Sequence, residues 1–166
     1  MAVQGSEPRF GVVIPHLVVA DVDEAVRFYR SAFDAEELYR SPSPSGAGQH
    51  AHVRVCQSLV FLSTEEPAAR AQRVDVSQFA APETLGGSTC VFQIRVEDVD
   101  AAYERAIGAG ATPVRSPAEM FWGDRYAWIR DPSGHMWALC TVQQVLSAAE
   151  VTHRMQRLYS DTKGGP

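Results

Sequence analysis

Two stretches of the chain combine an alternating apolar segment with a helical pattern. The segments GVVIPHLVVA (11–20) and CVFQIRV (90–96) place β-branched residues at period two, which is typical of strands. Each segment leads to an aspartate, Asp21 or Asp98, that can cap a helix, and Glu24 adds the spacing of a capping box. The pattern therefore predicts a strand followed by a helix in both places.

Apolar residues then recur at helical spacing after each aspartate. They are Ala25, Phe28, Tyr29, Ala32 and Phe33 in the first stretch, and Val99, Ala102, Tyr103, Ala106 and Ile107 in the second. Three candidate strands follow each helix: 36–40, 50–55 and 58–64 in the first half, and 112–115, 125–130 and 135–141 in the second. Each half is thus predicted to be strand, helix, strand, strand, strand.

The two halves also share a repeated sequence motif. VADVDEA (19–25) and VEDVDAA (96–102) are 77 residues apart, and Leu62 matches Leu139 at the same offset. One spacing that holds in separated stretches predicts two copies of one βαβββ module, an α+β fold. The predicted division is a flexible N-terminus (1–9), a first module (10–64), a polar linker (65–88), a second module (89–142), and a C-terminal helix and tail (143–166) that starts near Ser147.

Composition narrows the choice of partners and compartment. The formal net charge is −5 and basic residues are not clustered, which argues against a nucleic acid partner. No apolar run approaches the roughly 20 residues that span a bilayer, and the first residues lack a signal-peptide pattern. The three cysteines, Cys56, Cys90 and Cys140, form no paired motif. We expect small, buried, reduced thiols in a cytoplasmic protein with no membrane partner.

Three stretches together resemble a known superfamily. They are HLVVADVDEAVRFYRSAFDAEELYR (16–40), VEDVDAAYERAIGAGATPV (96–114) and MFWGDRYAWIRDPSGHMWAL (120–139). Two βαβββ units with these motifs resemble the vicinal oxygen chelate superfamily, which includes glyoxalase I, extradiol dioxygenases, fosfomycin-resistance enzymes and bleomycin-binding proteins. A WGDR-type segment before DPxGH is similar to the PhnB-like branch. The resemblance implies paired half-barrel sheets around a central cavity, a small-molecule ligand and a homodimer.

The resemblance also implies where a metal would be bound. In metal-dependent members the first and last strand of each module supply the ligands, and these positions fall on Ile14, Phe61, Val91 and Ala138. All four are apolar, whereas a divalent ion needs His, Glu, Asp or Cys. We therefore expect no metal and no cofactor. The alternative is a rebuilt site on His16, His50 and His52, with glyoxalase- or dioxygenase-like chemistry.

Two polar residues share the predicted cavity face. His16 and Gln93 lie two residues beyond Ile14 and Val91, so they face the same side of their strands. In one interpretation they are catalytic: His16 is a general acid or base, and Gln93 orients an oxygen. In the other they bond to each other across the pseudo-twofold axis and hold the halves together.

Further candidates for ligand binding come from the strands and from the aromatic segment. They are His52, Arg54, Phe61, Trp122, Arg125, Tyr126 and Met136. His52 and Arg54 alternate with apolar residues, which suits either a solvated outer face or a cleft lining. The aromatic segment suits a small-molecule pocket or a dimer interface equally well, and Arg125 can pair with Asp124 or with a ligand.

Three functional hypotheses follow. The first is a metal-independent enzyme that uses acid/base chemistry, of isomerase, cyclase or lyase type, on a small carbonyl-bearing or aromatic metabolite, as in secondary metabolism. The second is a binding protein that sequesters a drug or metabolite, as bleomycin-binding relatives do. The third is an interaction module with a vestigial pocket.

Overall fold

The computed structural model describes residues 13–43, 48–65 and 79–162. Its elements are β1 (His16–Val19), α1 (Val22–Phe33), β2 (Glu36–Pro42), β3 (Gln49–Val55), β4 (Ser58–Thr64), α2 (Pro82–Leu85), β5 (Val91–Arg95), α3 (Val99–Gly108), β6 (Thr112–Glu119), β7 (Asp124–Arg130), β8 (Met136–Val142) and α4 (Ala148–Thr162). The predicted N-terminal segment (1–9) and the last four residues lie outside the described residues. None of the described helices is long and apolar enough to cross a membrane.

The strands form two four-stranded sheets with the same topology. The order is β1-β4-β3-β2 in the first sheet and β5-β8-β7-β6 in the second. The first strand of each module pairs in parallel with the last, and the other neighbours are antiparallel. The chain is therefore two βαβββ modules followed by a C-terminal helix, which confirms the predicted fold class.

Both module helices begin where the sequence places them. The Asp21 carboxylate accepts a hydrogen bond from the Glu24 backbone at 2.9 Å, and Asp98 accepts from the backbone of Asp100 and Ala101 at 2.9 and 3.1 Å. These bonds satisfy amides that a helix start otherwise leaves unpaired. The C-terminal helix begins with a capping box: the Glu150 backbone amide donates to the Ser147 hydroxyl oxygen at 3.3 Å, and the Ser147 backbone amide donates to the Glu150 carboxylate at 2.8 Å.

One hydrophobic core serves both modules. Helices α1 and α3 contact each other, and one face of each sheet packs against them. The first sheet contributes residues such as Leu17, Val53 and Leu62, each no more than 2% exposed. The second contributes Ile129 and Leu139, both fully buried. The opposite faces of the sheets, called the outer faces below, point away from this core.

The structure departs from the prediction at the first strand and in the linker. The first strand is 16–19 rather than 11–20: Pro15 precedes it, and residues 11 and 12 lie outside the described part. The polar linker contains α2, which the sequence pattern did not predict. Its anchor is the buried carboxylate of Glu65, which accepts hydrogen bonds from the Ala81 backbone at 3.1 Å and the Thr84 hydroxyl at 2.7 Å.

The cysteine prediction is wrong for two of three residues. Cys140 is buried on β8, but Cys56 and Cys90 are exposed. Cys56 lies in the tight turn between β3 and β4 with φ of 54°, and Cys90 lies just before β5. Turn and strand-entry positions expose side chains regardless of their polarity. All three thiols are free.

Candidate active site

The outer face of the N-terminal sheet gathers three histidines around one serine. His16 on β1 is paired in register with Phe61 on β4, and Phe61 is paired with His52 on β3. Two residues further along, His50 is paired with Ser63. Because residues i and i+2 of a strand face the same side, these side chains form one patch.

Hydrogen-bond distances join the polar members of this patch into one chain. His16 Nε2 lies 2.8 Å from Ser63 Oγ, and the same oxygen lies 3.0 Å from His50 Nδ1. The other nitrogen of that ring, His50 Nε2, lies 3.0 Å from His52 Nε2. We call this chain of four side chains the histidine relay. It leaves one nitrogen free of the chain at each end, Nδ1 of His16 and Nδ1 of His52.

Aromatic rings border the histidine relay. Phe61 stacks on His52, with ring centroids 4.1 Å apart and planes at 21°, and it meets His16 edge-on at 6.0 Å. Phe79, from the segment before α2, also meets His16 edge-on, with ring centroids 6.1 Å apart. Tyr39 on β2 contacts His52 at 5.0 Å. The rings exclude part of the water from the imidazoles, but His16 remains open to solvent on one side.

This environment favours neutral imidazoles. Partial burial, followed by the nearby His50 and His52, lowers the pKa of His16 below the ordinary histidine value of 6.5. Burial and the neighbouring His50 also lower the pKa of His52. Both effects disfavour the charged form. His16 is therefore neutral at pH 7 and can accept a proton.

The residues present do not fit the divalent metal that the resemblance implies. Phe61, Val91 and Ala138 lie on the outer faces of β4, β5 and β8, and Ile14 precedes β1. None of these side chains offers a ligand atom. Within residues 13–43, 48–65 and 79–162, no group of three His, Cys, Asp or Glu side chains is arranged to hold a metal ion, the histidine relay included.

The outer face of the C-terminal sheet carries Gln93 among aromatic rings. The Tyr126 hydroxyl donates to Gln93 Oε1 at 3.1 Å, and Gln93 Nε2 donates to Cys140 Sγ at 3.4 Å. Trp122 and Trp128 flank Tyr126, at ring distances of 5.7 and 6.4 Å. His16 and Gln93 thus occupy matching places on separate sheets. Each is bonded within its own sheet, and no hydrogen bond joins them.

The remaining predicted ligand-binding residues have intramolecular partners or line a cavity. Arg54 is exposed and pairs with Glu36 on the adjacent strand. Arg125 makes two bonds to Asp100 on α3, at 2.6 and 2.7 Å, rather than to Asp124. Trp122 Nε1 donates to Asp124 at 3.1 Å. Met136, Trp128 and Val91 line a cavity of about 410 Å³ beside α2.

Sequence reasoning missed three parts of the patch. Ser63 lies two residues after Phe61 on one strand, so strand periodicity alone could have placed its hydroxyl beside His50. Tyr39 could not be placed, because a register shift separates Glu37 from Tyr39. Phe79 belongs to a connection with no periodic pattern, so only the fold shows that it reaches His16.

The DPSGH turn between β7 and β8 is structural. The buried Asp131 carboxylate accepts hydrogen bonds from the Tyr29 hydroxyl at 2.6 Å, from Trp137 Nε1 at 3.1 Å, and from the Ser133 and His135 backbones at 3.0 and 2.9 Å. His135 Nε2 lies 2.8 Å from the Val18 carbonyl oxygen. The turn thereby joins the C-terminal module to α1 and β1.

Comparisons with known proteins agree with this architecture. A family model described as the Glyoxalase/Bleomycin resistance protein/Dioxygenase superfamily matches residues 10–139. An uncharacterized protein of Mycobacterium bovis is 42% identical over 125 residues, which are 75% of this chain and 79% of that protein.

Solved structures agree at the level of the fold. A glyoxalase/bleomycin resistance protein/dioxygenase family enzyme from Burkholderia phytofirmans PsJN superposes with a TM-score of 0.60 at 21% identity, over 76% of this chain and 94% of that chain. The fosfomycin resistance protein FosX from Listeria monocytogenes, complexed with Mn(II) and sulfate ion, gives 0.59 at 16% identity, over 87% and 97%. At these identities the similarity concerns the fold alone.

Proposed function

Because the chain belongs to the glyoxalase/bleomycin resistance protein/dioxygenase superfamily, we propose that it is an enzyme of that fold that transfers a proton without a metal. The substrate is a small carbonyl-bearing or aromatic metabolite, and the reaction is of isomerase, cyclase or lyase type. The observation that carries the proposal is the histidine relay, in which the Ser63 hydroxyl joins His16 to His50 and His50 contacts His52. The WGDR and DPSGH segments support a place in the PhnB-like branch, and the free thiols support a cytoplasmic location.

The histidine relay has two complete hydrogen-bond patterns with every ring neutral. In the first, His52 Nε2–H donates to His50, and His50 Nδ1–H donates to Ser63. The Ser63 hydroxyl then donates to His16 Nε2, which leaves the proton of His16 on Nδ1. In the second pattern every donor and acceptor is exchanged, so His16 Nδ1 is bare and His52 Nδ1 carries a proton.

Conversion between these patterns moves one proton from end to end. When His16 Nδ1 removes a proton from a substrate carbon beside a carbonyl, each bond of the relay can reverse and His52 Nδ1 can release a proton. The relay gains one proton and loses one, so no ring stays charged. This balance suits a reaction in which one substrate atom loses a proton and another gains one.

The chemistry does not use the metal of metal-dependent relatives. The apolar side chains at Ile14, Phe61, Val91 and Ala138 supply no ligand atom, so a carbonyl oxygen must be polarised by hydrogen-bond donors instead. Gln93 is the donor we propose, since its amide lies at the position on the C-terminal sheet that matches His16.

We also propose that a second copy of the chain closes the site. Both outer faces point away from the shared core, so one chain presents His16 and Gln93 on open surfaces. A homodimer that sets the N-terminal outer face of one protomer against the C-terminal outer face of the other brings these residues to one cleft.

The aromatic residues Trp122 and Tyr126 and the adaptable Met136 would then enclose the substrate, with Phe61 and His52 opposite. Arg54 and Arg125 would stay at the rim, where both hold carboxylates of their own chain.

Sequestration of a drug or metabolite is the second candidate. It is favoured by the aromatic row on the C-terminal outer face, where Trp122, Tyr126 and Trp128 offer flat apolar area next to the Gln93 amide. Such a surface can hold a ligand without any group that takes up a proton. A His16→Gln variant separates the two candidates, because a binder keeps its ligand affinity and has no turnover to lose.

Exchange of substrate hydrogen with solvent tests the proposal. A panel of enolisable carbonyl compounds in D₂O is incubated with chelator-treated protein, and NMR follows deuterium at carbons beside the carbonyl. We expect at least one compound to exchange, and His16→Gln to slow exchange by about 100-fold or more, the range for loss of a general base. His153→Gln, an exposed histidine on α4, is the matched control and should exchange like wild type. Exchange that is equal in both variants would contradict the role of His16.

A further inference from the structure

Ser63 lies at the centre of the histidine relay, where its hydroxyl contacts two imidazoles. Ser63 Oγ is 3.0 Å from His50 Nδ1 and 2.8 Å from His16 Nε2. The other nitrogen of the His50 ring, Nε2, is 3.0 Å from His52 Nε2. A hydroxyl within hydrogen-bond reach of a base, with that base held by a third group, is the arrangement that activates a serine as a nucleophile. Proton transfer from a substrate carbon makes no use of that property.

One of the two neutral hydrogen-bond patterns of the relay makes Ser63 the donor to His50. In that pattern the Ser63 hydroxyl donates to His50 Nδ1, and His50 Nε2–H donates to His52, which fixes the tautomer and the orientation of the His50 ring. His16 Nε2–H then donates to the Ser63 oxygen. The serine thus has a base on one side and an N–H donor on the other.

The Ser63 side chain is accessible from the outer face of the N-terminal sheet. Ser63 lies on β4, the strand between β1 and β3, so its backbone is paired on both sides. Its partial exposure to solvent therefore belongs to the side chain. The two imidazoles that contact it are not buried either, since His16 is exposed and His50 is half-buried. A substrate can therefore approach the hydroxyl from the open side of the sheet.

We propose that Ser63 is a nucleophile that gives the protein a second activity, the hydrolysis of aryl esters of uncharged acyl groups. The Ser63 oxygen bonds to the carbonyl carbon of the ester while its proton passes to His50 Nδ1. The bond between that carbon and the leaving oxygen then breaks, and the leaving oxygen takes the proton from His50. Water attacks the acyl-serine with the same base, which releases the carboxylic acid and restores the Ser63 hydroxyl.

The acyl group that fits beside the serine is apolar and uncharged. Phe61 and Phe79 both meet His16 edge-on, with ring centroids 6.0 and 6.1 Å apart, so apolar rings border the nucleophile. Arg54 lies on the same face of β3, but its guanidinium is already paired with Glu36 and offers no free charge to an anionic acyl group.

The donors around Ser63 set the range of leaving groups. In the pattern that activates the serine, the described residues give its oxygen one N–H donor, the imidazole of His16, and no backbone amide. A single donor stabilises a tetrahedral oxyanion less than the two or more donors of a full oxyanion hole. Esters with a good leaving group, such as a phenol, are therefore the substrates, and amides are not. This activity goes beyond the proposed function, since it moves no proton to or from a substrate carbon.

An alkyl fluorophosphonate tests the nucleophile directly, because an activated serine forms a P–O bond with it and fluoride leaves. The full chain is incubated with this probe, and mass spectrometry of its peptides locates the adduct. We expect the adduct on Ser63 and not on Ser58, an exposed serine of the same strand that is paired in register with Val55. Ser63→Ala should lose the adduct, whereas Ser58→Ala, the matched control, should be labelled like wild type.

Rates of labelling separate the roles of the histidines. His50→Gln should slow labelling by about 100-fold or more, the range for loss of a general base. His16→Gln keeps an N–H donor beside the serine and should slow labelling by about tenfold or less. His153→Gln on α4 is the matched control and should react like wild type. Release of p-nitrophenol from p-nitrophenyl acetate measures the complete reaction and should be lost in Ser63→Ala.

Three results would overturn the assignment. They are labelling of Ser63 no faster than that of Ser58, equal slowing in His16→Gln and His50→Gln, and release of p-nitrophenol that is as fast in Ser63→Ala as in wild type. The adduct forms without turnover of a carbonyl compound, so the readout is independent of solvent exchange. Exchange that depends on His16, with no adduct on Ser63, contradicts only this assignment. An adduct on Ser63 without such exchange contradicts only the proposed function.

Discussion

The reactivity of His16 depends on its neighbours more than on its own position. The residue is open to solvent on one side, yet partial burial beside Phe61 and Phe79, followed by the electrostatic effect of His50 and His52, lowers its pKa. The Ser63 hydroxyl then connects its Nε2 to a second imidazole. A lone exposed histidine would titrate near 6.5 and would have no route for the proton.

The lowered pKa predicts a particular acid limit for activity. The neutral form of His16 persists as pH falls to values below 6.5, so the acid limb of kcat/KM should lie below 6.5. His50→Gln removes a neighbour that disfavours the imidazolium of His16. The pH at which kcat/KM falls on the acid side should therefore rise toward 6.5. The pH dependence of kcat/KM for the compound found by solvent exchange measures both. An acid limb above 6.5 in wild type, or a downward move in His50→Gln, would contradict the role assigned to these neighbours.

At the scale of elements, the turn between β7 and β8 fixes how the modules meet. Asp131 holds Tyr29 of α1 and Trp137 of β8 with one carboxylate, and it also closes its own turn. Burial and this carboxylate raise the pKa of Tyr29 well above its ordinary value, so its hydroxyl remains a donor. One short segment thus connects the two modules through the core.

Asp131→Asn should lower the free energy of unfolding by about 2–4 kcal/mol, because an amide keeps the shape but loses charged acceptors for several buried donors. Tyr29→Phe removes one of those bonds and should cost about 1.5–3 kcal/mol. Urea denaturation followed by circular dichroism measures both variants. A loss below about 1 kcal/mol in Asp131→Asn would mean that the turn contributes little to the joint between modules.

Sequence reasoning succeeded where one period governs a whole element. The capping aspartates and the apolar stripes placed α1 and α3, and period two placed Gln93 on the same face of its strand as Val91. It failed where geometry depends on distant contacts. The helix α2 exists because the Glu65 carboxylate holds the Ala81 backbone and the Thr84 hydroxyl, and no periodic signal marks that. Likewise, the spacing of 77 residues matched His16 with Gln93, but only the shared core shows that they lie on separate open faces.

At the scale of the whole molecule, the shared core leaves the outer faces of both sheets open to solvent, so one chain does not enclose a cleft between them. The outer face of the N-terminal sheet carries the histidine relay, and the outer face of the C-terminal sheet carries the Gln93 amide among aromatic rings. In the proposed homodimer each cleft takes one face from each protomer, so every active site is composite.

A composite site predicts complementation between two inactive variants. His16→Gln and Gln93→Ala are each expected to lower turnover by about 100-fold or more, because each changes one half of every cleft. After subunit exchange of an equal mixture, half of the dimers are mixed and each has one intact cleft, which restores about a quarter of wild-type activity. Assay of the mixture against the separate variants measures this. A mixture no more active than its components would contradict the composite cleft.

The most direct test of metal-free proton transfer through the histidine relay is the rate of solvent deuterium exchange by chelator-treated wild type and Ser63→Ala, with the carbonyl compound found in the panel. Ser63→Ala removes only the hydroxyl that joins His16 to His50. Metal-free wild type should exchange fully, and Ser63→Ala should exchange about 10-fold or more slowly. Exchange that stops on chelation and returns with a stoichiometric metal, or that is as fast in Ser63→Ala as in wild type, would contradict metal-free proton transfer through the relay.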